Sequence, residues 1–174
     1  MKVFIENEAG SNIKNLFNEE TLEYRKSVEV SASYPFPYGF LLNTKSGDGD
    51  SLDCFVLTNE NLKSRQIVEV DPIGMFEEIE DGEEDHKILA VLVGESWQID
   101  ENLEQNFRDF SAKVFSHLPN KKKIVGRFLG KDDALRLIEK SRSLQDNREN
   151  MLKKKKILIT GIAGSGKSTV CNEL

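Results

Sequence analysis

The apolar positions in the first half of the chain fall into short runs, several of which alternate with polar residues. Gly, Pro, Asn and Asp separate these runs, a pattern typical of β-strands. The pattern predicts strands over Val3–Glu6, Gly39–Leu42, Asp53–Leu57, Ile67–Val70 and Ile88–Val93.

The second half of the chain has a helical pattern. Apolar residues recur at steps of three and four between positions 103 and 118, which predicts an amphipathic helix that begins near Asp100. A strand over Ile124–Phe128 follows, and Asp132 or Asp133 can cap a second helix. Because most strands are not separated by helices, we expect an α+β fold, an antiparallel sheet or barrel with helices outside it. The inward residues of the two helices are predicted to be Leu103, Phe107, Phe110, Val114 and Leu118, and then Ala134, Leu135 and Ile138.

The composition excludes several classes of protein. The 174 residues carry a net charge of −6, and 31% of them are charged. No apolar run reaches the ~18 residues of a membrane span, and the first residues lack the features of a signal peptide. Cys54 and Cys171 give neither a metal-ligand spacing nor a disulfide framework, which favours a reducing cytoplasm. The acidity argues against a protein that binds duplex nucleic acid, since such proteins carry basic patches.

The charge is unevenly distributed along the chain. Residues 151–174 hold five lysines and one acid, whereas residues 1–150 carry a net charge of −10. This change in composition predicts one domain over residues 1–150 and the start of another over residues 151–174.

Three aspartates, Asp48, Asp50 and Asp53, stand within six residues. Carboxylates at this density repel one another unless a cation compensates them, and such oxygen ligands suit Mg²⁺, Mn²⁺ or Ca²⁺. Gly49 permits a tight turn, and Asp53 leads directly into a predicted strand. The alternative is a solvated Asp/Gly-rich turn, and the hexapeptide alone does not decide between the two.

A second acidic segment runs from Glu77 to Lys87. Most of its acids are predicted to lie in a solvated loop, but Asp85 and Lys87 stand two residues apart at the entry to an apolar run. Strand alternation places both side chains on one face, where they can bind a metal ion and a phosphate or form a weak surface ion pair. His86 is expected to face the other way and is given no role.

Aromatic residues and prolines from Tyr34 to Phe40 predict a stiff, packed segment. Phe36 and Phe40 are interpreted as core residues. A tyrosine hydroxyl on such a support can donate a hydrogen bond to an oxyanion.

Together, these segments resemble the soluble family I inorganic pyrophosphatases. Ile5-Glu6, followed by a turn and Lys14, resembles the first segment of that family, and the match spans roughly residues 3–140. The remaining matching segments are Tyr34-Pro35-x-x-Tyr38-Gly39-Phe40, Asp48-Gly49-Asp50-x-Leu52-Asp53 and Asp85-x-Lys87-Ile88-x-Ala90-Val91.

The resemblance implies a small closed, antiparallel-type β-barrel, similar to an OB fold, with two outer helices. It also implies Mg²⁺-dependent hydrolysis of pyrophosphate to two phosphates by a homo-oligomeric enzyme. Asp50 would orient or deprotonate the attacking water, and Glu6 would lie behind the metal ligands. The implied metal ligands are Asp48, Asp53, Glu80 and Asp85, and the implied phosphate ligands are Lys14, Arg25, Tyr38 and Lys87.

The chain departs from the family pattern at several positions. Leu16 and Pro37 replace a family acid and a family asparagine, and Glu80 replaces an aspartate. In the family pattern, the arginine that binds phosphate stands one residue closer to the first tyrosine than Arg25 stands to Tyr34. Lys26 therefore competes with Arg25 for this role.

The largest departure follows the first helix, where the Tyr-Lys pair of the family reads Leu118-Pro119. Charge-assisted hydrogen bonds contribute roughly 1.5–3 kcal/mol each. The loss of two donors therefore predicts a rate lower by on the order of 10²–10⁴. One missing charge can come from the neighbouring Lys121, Lys122 or Lys123.

The C-terminal residues carry a different motif. Lys156–Thr160 is predicted to form a buried strand, and residues 161–168 fit the G-x-x-x-x-G-K-[ST] phosphate loop. The segment resembles the truncated start of a P-loop kinase domain from a longer parent chain. We expect it to be poorly ordered, or to dock as an extended helix, without useful ATP binding. The motif residues are Gly161, Gly166, Lys167 and Ser168.

Three functions are compatible with the sequence. The first is a Mg²⁺-dependent inorganic diphosphatase, possessing an intact set of acids but an eroded phosphate site. The second is a catalytically weak, metal- or phosphate-binding regulatory module fused to a nucleotide or small-molecule kinase. In the third, the activity of the protein is that of the kinase, and the rest of the chain has only a structural role.

Overall fold

The computed structural model describes the backbone of residues 1–47 and 49–164, and the side chains of residues 1–47 and 49–153. Asp48, Gly166, Lys167 and Ser168 lie outside the described residues. Within the described part, nine strands and two helices form. They are β1 (Lys2–Asn7), β2 (Ile13–Phe17), β3 (Tyr24–Glu29), β4 (Tyr38–Leu41), β5 (Asp53–Val56), β6 (Ile67–Glu80), β7 (Glu83–Glu84), β8 (Lys87–Leu92), α1 (Glu101–Val114), β9 (Lys123–Gly130) and α2 (Lys131–Gly164).

Seven of the strands form one sheet. β1 pairs with β4, β4 with β5, β5 with β8, β8 with β6, and β6 again with β1, so these five strands form a ring of pairings. β7 and β9 extend the sheet from β6, while β2 and β3 form a separate hairpin. The pairings are antiparallel except that β5 and β8 run parallel, a pairing that the predicted antiparallel arrangement did not contain.

The central strands are buried on both faces. In β8, Ile88 and Ala90 pack with Ala134 and Ile138 of α2, whereas Leu89 and Val91 belong to the core beneath α1. A strand covered on both faces reads as a continuous apolar run rather than an alternating one. The two helices therefore account for the run that predicted this strand.

The first predicted helix is confirmed. Asp100 caps α1, and its side chain accepts a hydrogen bond from the Leu103 backbone N–H at 2.8 Å. Four of the five predicted inward residues are buried, but Leu118 lies beyond the end of α1 and is 40% exposed. The buried four are Leu103, Phe107, Phe110 and Val114.

The second helix extends further than predicted. α2 begins at Lys131 and continues to Gly164, so the predicted strand over Lys156–Thr160 is wrong, and Gly161 also lies within the helix. No glycine or proline interrupts residues 131–160, and good helix formers are frequent there. Among the described residues, neither helix is long and apolar enough to cross a bilayer.

Candidate active site

The parallel pair β5–β8 brings the two acidic segments together. Asp53 begins β5 and Lys87 begins β8, and the neighbouring residues Cys54 and Ile88 lie side by side in the pairing. The Lys87 Nζ contacts the Asp53 carboxylate and lies 2.6 Å from Asp85 Oδ2. The predicted placement of Asp85 and Lys87 next to one another is confirmed, but the ion pair is not on the surface, because Lys87 is 3% exposed.

Tyr38 joins this cluster from β4. It is buried, and its phenol lies beside the Asp53 carboxylate. Its ring is tilted by 30° against the ring of Tyr34, with 5.2 Å between the two centroids. Burial, together with the nearby charge of Asp53, raises the pKa of Tyr38, so the phenol stays a hydrogen-bond donor. Phe40 lies in the core and Phe36 packs against Trp97 and Phe107, in line with their interpretation as core residues.

A second group of carboxylates lies beside the first. Glu78, Glu80 and Asp85 present oxygen atoms that all lie within 4.8 Å of one another. The Lys123 Nζ contacts all three carboxylates, and the Lys121 Nζ binds Glu80 Oε1 at 2.5 Å. The predicted solvated loop is therefore wrong at Glu78, which is 1% exposed in β6.

The pKa values in this cluster reflect burial opposed by charge. Burial would raise the pKa of Asp53, but Lys87 and Lys14 outweigh it and hold the pKa below its ordinary value. Burial of Glu80 is likewise outweighed by Lys123 and Lys121, which lower its pKa to about 2. Asp85 keeps a raised pKa, because burial and the charge of Asp53 oppose its ion pair with Lys87.

The remaining predicted residues line the same groove, whose volume is about 2100 Å³. Lys14 of β2 lies 5.3 Å from the centre of the Phe115 ring, and both Arg25 and Lys26 reach the groove from β3. Glu6 is buried behind Asp53, and its pKa is raised to about 8 by burial and by the Asp53 charge. The predicted residues that line the groove are Glu6, Lys14, Arg25, Tyr38, Asp50, Asp53, Glu80 and Asp85.

Two residues that are distant in the sequence, Glu19 and Arg148, form hydrogen bonds with the turn before β5. Gly49 adopts a φ of +96°, and its carbonyl oxygen accepts a hydrogen bond from Arg148 of α2 at 3.3 Å. The Ser51 backbone N–H donates to Glu19 at 2.5 Å. Asp50, between them, is exposed at the groove.

Comparison with known proteins decides the family. A family model described as inorganic pyrophosphatase matches residues 3–145. The chain belongs to the inorganic pyrophosphatase family.

Individual relatives agree with this assignment. An inorganic pyrophosphatase of Nanoarchaeum equitans is 32% identical over 148 residues, which cover 79% of this chain and 92% of that protein. One of Saccharolobus solfataricus is 41% identical over 93 residues, covering 52% of this chain and 54% of that protein. The solved structure of the Coxiella burnetii inorganic pyrophosphatase matches with a TM-score of 0.75 at 28% identity, over 82% of this chain and 93% of that one.

The departures from the pyrophosphatase pattern have clear structural positions. Leu118 is exposed after α1, and neither it nor Pro119 lines the groove as far as the described residues define it. Lys121 does line the groove, and Lys123 lies just beneath it beside Lys14 and Lys87. Lys122 is exposed, and its backbone N–H donates to Asp81.

Three residues of the site were not predicted from the sequence: Glu19, Glu78 and Arg148. Glu78 left a weak signal, because it follows Phe76 and precedes Glu80 at two-residue steps along one strand. Glu19 and Arg148 left none, since each contacts the turn across more than 30 residues of sequence.

Proposed function

We propose that this groove is where the chain hydrolyses pyrophosphate to two phosphates, and that Mg²⁺ is the metal ion it uses. As a member of its family the chain is an inorganic diphosphatase, a hydrolase. The observation that carries the site assignment is the meeting of Asp53, Asp85, Lys87 and Tyr38 at one end of the β5–β8 pair. Hydrolysis of a polyanion needs cations on the substrate and donors for the departing phosphate, and the groove has residues for both.

The chemistry of the donor set supports a hard divalent cation. Asp53 and Asp85 are half-buried and offer carboxylate oxygens, Asp53 from the first position of β5 and Asp85 from two residues before β8. Divalent ions bound there would neutralise substrate charge and lower the pKa of a coordinated water. Asp48, also assigned as a ligand, lies outside the described residues. Glu80 is the fourth residue assigned as a metal ligand. It differs from the other ligands because Lys121 and Lys123 bind its two carboxylate oxygens.

Asp50 is assigned to the attacking water. Its backbone oxygen accepts hydrogen bonds from the Ser46 N–H at 2.7 Å and from the Ser46 hydroxyl at 3.0 Å, which fixes the turn. A carboxylate at the groove can orient a water molecule and accept its proton.

The cationic and phenolic groups are assigned to the phosphates. Lys14, Tyr38 and Arg25 line the groove, and Lys26 remains a competitor of Arg25 because both reach it. Lys87 belongs to the same set from its buried position between Asp53 and Asp85. Lysine and arginine stabilise the charge that develops on a departing phosphate.

Phosphate release from pyrophosphate in Mg²⁺ tests the proposal. We expect Asp50→Asn to lower kcat by about 10²–10⁴, the usual contribution of a general base. Asp71→Asn is the matched control, because Asp71 is exposed on β6 and does not line the groove. Lack of turnover in the wild-type protein, or equal turnover in the Asp50→Asn protein, would contradict the proposal.

Several finer predictions accompany this function. We interpret the ring of strand pairings as the small closed barrel implied by the family, and we keep a homo-oligomer and a cytoplasmic location as predictions. The division into residues 1–150 and 151–174, and a kinase domain in a longer parent chain, also remain predictions. A catalytically weak, metal- or phosphate-binding regulatory module is not favoured, because the groove retains acids, cations and a phenol together.

A further inference from the structure

Lys123 lies at the centre of the second group of carboxylates. We propose that its ammonium group takes the place of a divalent cation between Glu78, Glu80 and Asp85, so that this part of the site carries a built-in charge. The inference rests on the proposed function, because it concerns how many metal ions the same groove accepts.

The distances are those of a cation with three ligands. The Lys123 Nζ lies 2.6 Å from Glu78 Oε1, 2.8 Å from Glu80 Oε2 and 3.5 Å from Asp85 Oδ2. An ammonium group has three N–H donors and no acceptor, so three carboxylates can use its full capacity. Oxygen atoms this close would otherwise be a suitable set for a metal ion.

Strand pairing fixes the position of Lys123. Glu80 of β6 and Lys123 of β9 are directly opposite each other, and side chains of opposed residues project to the same face of a sheet. Glu78 lies two residues before Glu80 and therefore shares that face. The Phe115 ring lies 5.5 Å from the ammonium group on another side.

Burial makes the pairing difficult to undo. Glu78 is 1% exposed, and its other oxygen accepts a hydrogen bond from the Ser111 hydroxyl at 2.6 Å, which leaves Oε1 for Lys123. The Lys123 side chain is 10% exposed. A metal ion that entered this position would have to separate Lys123 from a buried carboxylate, and an uncompensated buried charge is strongly unfavourable.

Lys121 provides the contrast. Its ammonium group also binds Glu80, but on the opposite oxygen, and its side chain is 38% exposed. It makes its second ion pair with the surface residue Asp81 at 2.9 Å. An exposed lysine of this kind can move away from Glu80 without leaving a buried charge behind.

Titration of the metal-free protein with Mn²⁺ tests the inference without pyrophosphate. Calorimetry on the wild type, Lys123→Met and the control Lys63→Met, which changes an exposed lysine outside the groove, gives the number of bound ions and their affinities. We expect Lys123→Met to gain one Mn²⁺ equivalent, or at least tenfold tighter binding at its weakest site, and Lys63→Met to match the wild type. Equal stoichiometry and affinity in Lys123→Met and the wild type would overturn the inference.

Thermal unfolding supplies a second measurement, because Lys123→Met leaves Glu78 without its main counter-charge. We expect a lowered Tm without metal and a larger gain in Tm on addition of Mn²⁺ than the wild type shows. If Mn²⁺ raises both Tm values equally, or does not restore a variant that fails to fold alone, the inference is wrong. A failed hydrolysis assay would instead count against the proposed function, since neither measurement here requires turnover.

Discussion

At the scale of single residues, the charge balance of the site depends on Lys87. Its ammonium group contacts Asp53 and Asp85 and lies 3.8 Å from Glu78. Burial favours the neutral amine, but the charges of Asp53 and Asp85 outweigh it and raise the pKa of Lys87. The residue therefore holds together acids that would otherwise repel one another.

Replacement of Lys87 by methionine should destabilise the metal-free protein. We expect a loss of about 3–5 kcal/mol, since buried carboxylates lose their shared counter-charge. Lys63→Met is the control: Lys63 pairs with Glu8 at 2.9 Å but is 54% exposed, so its loss should be at most about 1 kcal/mol. Urea unfolding in EDTA measures both values. Similar losses in the two variants would show that burial does not matter here, and added Mg²⁺ should recover part of the Lys87→Met loss.

Sequence motifs identified Asp53, Glu80 and Asp85 as site residues, but not the third member of the second carboxylate group, Glu78. Asp53 and Asp85 stand in short motifs whose spacing is visible along the chain, and the structure brings them together. The burial of Glu78 and its contact with Lys123 depend on how β9 pairs with β6, 45 residues apart. No local pattern encodes that pairing, so a buried acid there looked like part of a solvated run.

At the scale of elements, α2 contacts the turn that carries Asp50. Arg148 donates to the Gly49 carbonyl oxygen, and a Cβ atom on Gly49 would lie 2.9 Å from the guanidinium group. The family match ends at residue 145, so this contact comes from the helix beyond it.

Arg148→Ala should therefore impair catalysis more than stability. We expect kcat to fall several-fold, because the loss of a charged hydrogen-bond donor, worth about 1.5–3 kcal/mol at most, loosens the turn. Arg142→Ala, an exposed change on the same helix, should leave kcat unchanged. Pyrophosphate hydrolysis by the three proteins, with Tm as a check, decides this. A kcat that is unaltered in Arg148→Ala would mean that the turn needs no support from α2.

Elements with a clear apolar face were predictable, and those without one were not. β8 and α1 follow directly from their apolar positions, whereas all six residues of β3 are exposed and give no period. β6 was predicted to end at Val70 because Asp71-Pro72 reads as a break. The pairing of β6 with β8 accommodates Pro72 through an irregular register between Pro72 and Gly74.

At the scale of the whole molecule, Glu6 links folding stability to pH. Its pKa is about 8 in the folded protein, against an ordinary value of 4.5, because it is buried and lies near Asp53. The folded state therefore binds one more proton than the unfolded state between these two values. The contribution of Glu6 to the free energy of unfolding should be largest below pH 4.5 and should be lost as the pH rises through about 8.

Glu6→Gln should remove this dependence. Relative to the variant, the wild type should lose on the order of a few kcal/mol between pH 5 and pH 9, since each pKa unit corresponds to ~1.4 kcal/mol. Urea midpoints of both metal-free proteins across this range measure the difference. If the urea midpoints of the two proteins change equally with pH, Glu6 is already ionised in the folded protein at neutral pH.

The parallel pairing of β5 with β8 also affects the order of folding. Parallel strands cannot be joined by a hairpin, so the chain must pass through β6 before β8 returns beside β5. Closing such a long loop is slow. Asp53 comes close to Asp85 and Lys87 only after β8 has paired with β5. A metal ion that needs both acids therefore binds the finished fold and not its precursors, so its binding free energy adds to the stability of the entire domain.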